Sequence, residues 1–230
     1  MIVRIKVCGL TNLPDAQCAV NAGADILGFI FFSESPRAVK PERAREIVTK
    51  LVLEGKQPLK VGVFVNEEPH IVAQTLEFCQ LDGAQLHGEE PPEILGIGSE
   101  GEGSVLRGRA YKALRFASST EAQMIADKYA LPPDLRSERQ LPSFLLDSYH
   151  AELRGGSGIT GDWEMAKALA TRYPILLAGG LKPDNVAGAV SLVKPWGVDV
   201  ASGVEIEPGK KDHAALYDFI SIVRHIAEEV

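Results

Sequence analysis

A short apolar run, Phe144-Leu145-Leu146, ends on a carboxylate, Asp147; Gly155-Gly156-Ser157-Gly158 follows, and then Asp162-Trp163 opens a helical pattern. An acid at a strand end can give or take a proton. Glycines ahead of a helix let backbone N–H groups come close to an anion, and the helix N-terminus adds partial positive charge. The stretch therefore points to a proton-transfer group beside an anion cradle. Taken alone, it also fits a flexible linker with an Asp capping a turn. Two more glycine loops, at Gly179-Gly180 and at Ser202-Gly203, follow at the spacing of two more strand–helix units, and they favour the chemical reading.

A regular frame must hold these groups. Strand patterns cover Ile2–Cys8, Ile26–Phe32, Lys60–Val65, Gly83–Leu86, Ala110–Leu114, Phe144–Asp147, Ile175–Ala178 and Gly197–Ala201. Helical patterns lie between them, several opened by a proline: Pro14, Pro41, Pro69, Pro91-Pro92 and Pro183. Alternating strands and helices of this size are the mark of a parallel sheet. Eight units in 230 residues, near the roughly 250 of an eight-unit barrel, predict an α/β fold, a single (β/α)8 TIM barrel over residues 1–230. Two stretches break the rhythm: the glycine-rich Gly96–Gly108 and the proline-containing Leu131–Leu141, both expected to be surface excursions.

Active groups in such barrels sit at the carboxyl ends of the strands. Those ends deliver Cys8, the Ser35-Pro36-Arg37 loop, Asn66, His87, Asp147 and the three glycine loops. In the first strand Val3, Ile5 and Val7 share the face expected to meet helices, while Arg4, Lys6 and Cys8 face the barrel axis. A lone cysteine is more often a packed thiol than a reactive one; the lumen-facing strand end favours a chemical role for Cys8. Cys18 and Cys79 fall on helices and are expected to pack. His87 fits either a substrate contact or a satisfied end-of-strand histidine. Asp199 is expected either to pair with Lys6 across the seam between the last and first strands or to orient a substrate.

Composition narrows the class. The chain carries a formal charge of −7 at pH 7, which argues against a large nucleic-acid surface. No apolar run approaches the roughly 20 residues of a membrane span, and the start of the chain lacks a secretory layout. Three cysteines without a CxxC pair predict reduced thiols and a cytoplasmic location.

The sequence resembles the phosphoribosylanthranilate isomerase family of tryptophan biosynthesis. The resemblance is carried by Lys6-Val7-Cys8-Gly9-Leu10-Thr11, Gly28-Phe29, Ser35-Pro36-Arg37, Val61-Gly62-Val63-Phe64-Val65 and Gln85-Leu86-His87-Gly88. It continues through Leu146-Asp147, Gly155–Gly158, Asp162-Trp163, Ala178-Gly179-Gly180-Leu181, Val198-Asp199-Val200, Ser202-Gly203-Val204-Glu205 and Pro208-Gly209-Lys210-Lys211-Asp212. It spans nearly the whole chain, in order.

The resemblance implies an Amadori rearrangement without a metal or organic cofactor. Asp147 is then the general acid at the ring oxygen, and Cys8 the general base at C2′. Arg37 then faces the anthranilate carboxylate, with His87 and Asp199 kept beside it as candidate substrate-binding residues. Gly155, Gly156, Gly179, Gly180, Ser202 and Gly203 hold the phosphate. The acid is expected in a low-polarity site, and the thiolate to be favoured by helix N-termini and Arg37. The implied partner is a phosphorylated sugar–anthranilate, with a monomer or homodimer both open. Gly161, Ala201 and the Tyr149-His150 linker depart from the family pattern. An indole-glycerol-phosphate synthase would need lysine and glutamate as its acid–base set. A metal-dependent epimerase would need more histidines at strand ends than His87. A non-catalytic phosphate-binding barrel is the remaining rival.

Overall fold

A computed structural model of the chain describes residues 2–53, 55, 57–116, 119–137, 141–147 and 163–229. Eight parallel strands close into a barrel in sequence order: β1 (Arg4–Val7), β2 (Ile26–Ile30), β3 (Leu59–Phe64), β4 (Gly83–Leu86), β5 (Ala110–Leu114), β6 (Phe144–Asp147), β7 (Ile175–Ala178) and β8 (Gly197–Val200). Around them lie α1 (Leu13–Ala22), α2 (Pro41–Leu53), α3 (Pro69–Cys79), α4 (Ser119–Tyr129), α5 (Pro133–Ser137), α6 (Trp163–Ala170), α7 (Pro183–Val193) and α8 (His213–Glu229). No helix among the described residues is long and apolar enough to cross a membrane.

Local chemistry sets the helix ends. Asn12 caps α1 by accepting from the Asp15 N–H, and Gly23, at φ 104°, stops it. In α7, Pro183 supplies a preset φ, and the Asn185 side chain accepts from the Lys182 N–H. Strand alternation follows the expected pattern. Val3, Ile5 and Val7 are fully buried between sheet and helices, and Lys6, on the opposite face, is fully buried in the lumen. The seam closes with Lys6 beside Asp199, and Cys8 N–H donates to Val200 O at 2.9 Å.

Several expectations change. No α-helix opens at Pro91-Pro92; 3₁₀ turns at Pro92–Leu95 and Ser99–Gly101 fill its place. Glycine explains this: Gly96 and Gly98 have φ of 82° and 74°, and a Cβ on Gly101 would lie 2.6 Å from the Gly96 carbonyl carbon. Gly96–Gly108 is not merely a surface excursion, since it buries Leu106 fully. Nor is Leu131–Leu141, which contains α5 and buries Leu131, Leu135 and Leu141. After β8 comes an unexpected antiparallel hairpin, β9 (Glu205–Glu207) with β10 (Lys210–Lys211). Strand bounds also shrink: the first strand is Arg4–Val7, and Ile2 is exposed.

Candidate active site

A cavity of about 450 Å³ opens at the carboxyl ends of the strands. It brings together Cys8, Arg37, His87, Asp147, Gly179, Gly180, Asp199, Ser202 and Gly203. Gly155 and Gly156, with the departures at Tyr149, His150 and Gly161, lie outside the described residues.

Cys8 follows β1 and is buried, with 5% of its surface exposed. The thiol has room because β2 carries Gly28 beside it: a Cβ there would lie 2.8 Å from Sγ. Beneath Cys8, the Lys6 ammonium donates to Asp199 Oδ1 at 3.0 Å, the pairing expected across the seam. Burial pushes the Cys8 thiol above its ordinary pKa; Lys6 and Lys211 pull it down, and Asp199 adds to the rise. Burial also opposes the Lys6 charge, but Asp199 and Cys8 outweigh it and hold the ammonium above its ordinary value. The cations beside the thiol are thus Lys6 and Lys211, and the expected role of Arg37 there passes to them.

Asp147 ends β6 with its side chain 13% exposed. The expected low-polarity surroundings are not what the described residues provide. Arg115, after β5, places a guanidinium nitrogen 2.7 Å from Asp147 Oδ2. His87 Nε2 lies 4.0 Å from the same oxygen. The imidazole is oriented from below. Tyr111 OH donates to Gln85 Oε1 at 3.1 Å, which leaves the Gln85 amide nitrogen facing His87 Nδ1 at 3.1 Å. Nδ1 then accepts, and the ring proton sits on Nε2, aimed at the mouth. Burial lowers the His87 pKa and Arg115 lowers it further, against Asp147, which raises it, and the balance favours the neutral ring. Nε2 has no hydrogen-bond partner among the described residues.

Arg37 reaches the cavity from the β2 loop, across Gly9: a Cβ on Gly9 would lie 2.8 Å from Arg37 Cδ. Its Nε and Nη2 donate to Glu205 Oε2 at 2.9 and 2.7 Å. Lys211 Nζ donates to the other oxygen of Glu205 at 2.8 Å, and to the carbonyls of Cys8 at 2.6 Å and Ala201 at 3.1 Å. Both cations hold the Glu205 carboxyl below its usual range against the effect of burial.

The glycine loops after β7 and β8 lie against each other. Gly179 and Gly180 have φ of 97° and 66°, which favours glycine. Asn185 Nδ2 donates to Gly180 O at 3.0 Å, tying that loop to the first turn of α7. A Cβ on Gly203 would lie 1.9 Å from Leu181 O, so only glycine admits this approach. Backbone N–H groups next to the N-terminus of an α-helix form a cradle suited to phosphate.

Residue reading alone missed Glu205, Lys211, Arg115, Gln85 and Tyr111 as parts of the site. Glu205 and Lys211 belong to the hairpin, which leaves little periodic trace. Arg115 sits one position past β5, and an alternation count of Tyr111, Ala113 and Arg115 would have placed it at the mouth. Among the described residues, no three His, Cys, Asp or Glu side chains gather as a metal site requires.

The sequence pattern of the family described as N-(5'phosphoribosyl)anthranilate (PRA) isomerase matches residues 5–221. The chain is 44% identical to the N-(5'-phosphoribosyl)anthranilate isomerase of Geobacter sulfurreducens over 221 residues, 95% of this chain and 97% of that one. It is similar to a solved structure of monomers generated from the dimeric phosphoribosylanthranilate isomerase of Thermotoga maritima. There the TM-score is 0.77 and the identity 35%, over 97% of this chain and all (100%) of that one. It is equally close to a phosphoribosylanthranilate isomerase solved with reduced 1-(o-carboxyphenylamino)-1-deoxyribulose 5-phosphate. That match has a TM-score of 0.77 and 36% identity, over 97% and 100% of the two chains.

Proposed function

The chain belongs to the N-(5'-phosphoribosyl)anthranilate isomerase family of tryptophan biosynthesis and is an isomerase of that kind, and from this premise we propose how its side chains divide the reaction. Asp147 gives a proton to the ribose ring oxygen as the C1′–O bond breaks, and the lone pair of the anthranilate nitrogen forms the C1′=N bond of an iminium. Cys8 then takes the C2′ proton, and the C2′–H electron pair forms the C1′=C2′ double bond of the enolamine while the C1′=N π pair returns to nitrogen. Ketonisation returns a proton to C1′ and yields the 1-deoxyketose. The two proton transfers need separate groups on different sides of the sugar. Cys8 on the β1 side and Asp147 on the β6 side of one cavity support this division.

The remaining groups bind. Gly179, Gly180, Ser202 and Gly203 offer backbone donors to the 5-phosphate, and Gly155 and Gly156 join them. Arg37 takes the anthranilate carboxylate. His87 offers its Nε2 proton to the substrate, and Asp199, held by Lys6, orients the sugar. The reading also takes residues 1–230 as one working unit, in the cytoplasm, without nucleic acid, as a monomer or a pair.

The observation that carries this reading is a single cavity lined by Cys8, Asp147 and the glycine loops after β7 and β8. The test is the decay of substrate fluorescence with freshly made phosphoribosylanthranilate. Wild type is expected to consume it, and folded Cys8→Ala and Asp147→Ala to lose roughly 10²–10⁴ in rate. Full turnover by either variant would remove that residue from the chemistry.

A further inference from the structure

Arg37 is held in an unusual way for a residue that has to meet a ligand. Its stem lies against Gly9, next to Cys8, where a side chain would collide with it. Its guanidinium is gripped by both oxygens of Glu205, with Nε donating to Oε1 at 3.0 Å and to Oε2 at 2.9 Å, and Nη2 to Oε2 at 2.7 Å. Glu205 is itself buried, with 4% of its side chain exposed. It also receives Lys211 Nζ at 2.8 Å and Gly209 N–H at 3.3 Å. Gly209 is fixed in turn by Thr11, whose hydroxyl donates to its carbonyl at 2.6 Å.

This arrangement decides which way Arg37 can act. A guanidinium has five N–H donors in a rigid fork. Glu205 takes those of Nε and one on Nη2, which leaves three donors, and Arg37 is among the residues that line the cavity. A free arginine would lose side-chain entropy on meeting a ligand; one already clamped loses little. Two planar carboxylate-binding edges at a fixed angle also make a directional site rather than a diffuse positive charge.

We propose that Glu205 is a positioning residue for ligand recognition: it turns the open edge of Arg37 toward a planar carboxylate on the bound molecule. The inference rests on the reading of Arg37 given above and adds the residue that sets its direction. Lys211 takes a second part in the clamp. By donating to the Cys8 carbonyl as well as to Glu205, it ties the Arg37 clamp to the strand end that carries the thiol. The distance between the carboxylate site and the base is thereby fixed through one carboxylate and one ammonium.

The test uses the full chain and two ligands: reduced 1-(o-carboxyphenylamino)-1-deoxyribulose 5-phosphate, and the same compound with phenyl in place of carboxyphenyl. Wild type is expected to prefer the carboxylate-bearing ligand, and Arg37→Ala to lose that preference. If wild type shows no preference, the reading of Arg37 fails, and with it the ground for this inference. Glu205→Gln keeps the shape but replaces one acceptor oxygen by a donor that repels Arg37. It is expected to weaken the carboxylate-bearing ligand about tenfold, the scale of one charge-assisted hydrogen bond, and to leave the other ligand unchanged. Glu205→Asp is expected to recover part of the loss. Arg37→Ala combined with Glu205→Gln should bind no worse than Arg37→Ala alone. Equal weakening of both ligands, or additive losses in the double variant, would show that Glu205 only supports the fold and would overturn the proposal. Should Glu205→Gln fail to fold, Glu205→Asp against wild type reads the same ligand pair.

Discussion

His87 presents Nε2 to the Asp147 carboxylate across 4.0 Å, while its Nδ1 is already engaged by Gln85. The imidazole therefore brings the buried polar chain of Tyr111 and Gln85 to within 4.0 Å of the proposed acid, beyond hydrogen-bond distance. Its lowered pKa means that the folded state releases the proton more readily than the unfolded chain. Stability from this source is complete above about pH 6.5, the unfolded value, and is lost as pH falls through the lower folded value. His87→Gln should flatten that part of the acid limb. Urea titrations between pH 7 and 5 check this: wild type should lose stability more steeply than the variant. Equal slopes would mean that His87 titrates normally.

The Lys6–Asp199 pair should act on Cys8 with opposite signs. Lys6→Met removes a cation that favours the thiolate, and Asp199→Asn removes an anion that disfavours it. The pH dependence of Cys8 alkylation by iodoacetamide should move up in the first variant and down in the second. Shifts in the same direction would indicate a general disturbance of the site. In wild type the raised thiol pKa adds stability that is whole below about pH 8.5 and is lost as pH rises through the folded value. Alkaline melts of wild type and Cys8→Ala should therefore converge.

Gly28 leaves space for the thiol, and filling that space should cost function before it costs the fold. In Gly28→Ala the new methyl would meet Sγ at 2.8 Å and the Cys8 Cα at 3.1 Å. Destabilisation of about 1–3 kcal/mol is expected from such overpacking. A displaced base should also lower turnover about 10²-fold. Thermal melts and turnover of the purified variant read the two effects separately. Wild-type turnover would show that Sγ tolerates the shift.

The Glu90–Lys112 pair under the β4 loop should be the stability hot point of the mouth. Lys112 Nζ meets Glu90 Oε2 at 2.9 Å with both side chains buried, and Glu90 also accepts from the Asn66 and Gly88 N–H groups. Lys112→Met would strand the Glu90 carboxylate, at a cost of about 3–5 kcal/mol. Burial raises the Glu90 pKa, but Lys112 and the backbone donors outweigh it and hold the value below the ordinary one. This contribution is present above about pH 4.3, the unfolded value, and is lost as pH falls through the folded one. Urea unfolding of Lys112→Met and of Lys112→Met with Glu90→Gln checks it; the second change should restore part of the loss.

The barrel was legible because its signal repeats: an apolar strand is followed in most units by a helical pattern, several of them opened by a proline. The eight strands fell within a few residues of their expected places, and Lys6 met Asp199 as alternation required. The lapses have local causes. Between β4 and β5 the glycines replaced an expected helix with 3₁₀ turns. The hairpin Glu205–Lys211 is too short for periodicity to show. Arg37 could be placed at the mouth by its loop, but its partner Glu205 lies 168 positions away. Asp147 was expected in apolar surroundings, and Arg115 occupies them instead. Side-chain pairing between distant strand ends depends on register, and no pattern within a single strand announces it.

The β1–β8 seam also bears on how the chain is made. Lys6 and Cys8 leave the ribosome long before their partners: Asp199 follows 193 positions after Lys6, and Lys211 203 positions after Cys8. A nascent chain thus carries its proposed base, and a lysine destined for full burial, without these partners until residues 199 and 211 have emerged. Translation that halts before residue 199 gives a product whose thiol has neither its β8 neighbours nor its Lys211 tether. Only a chain extended through residue 211 can make every contact that holds the base at this seam.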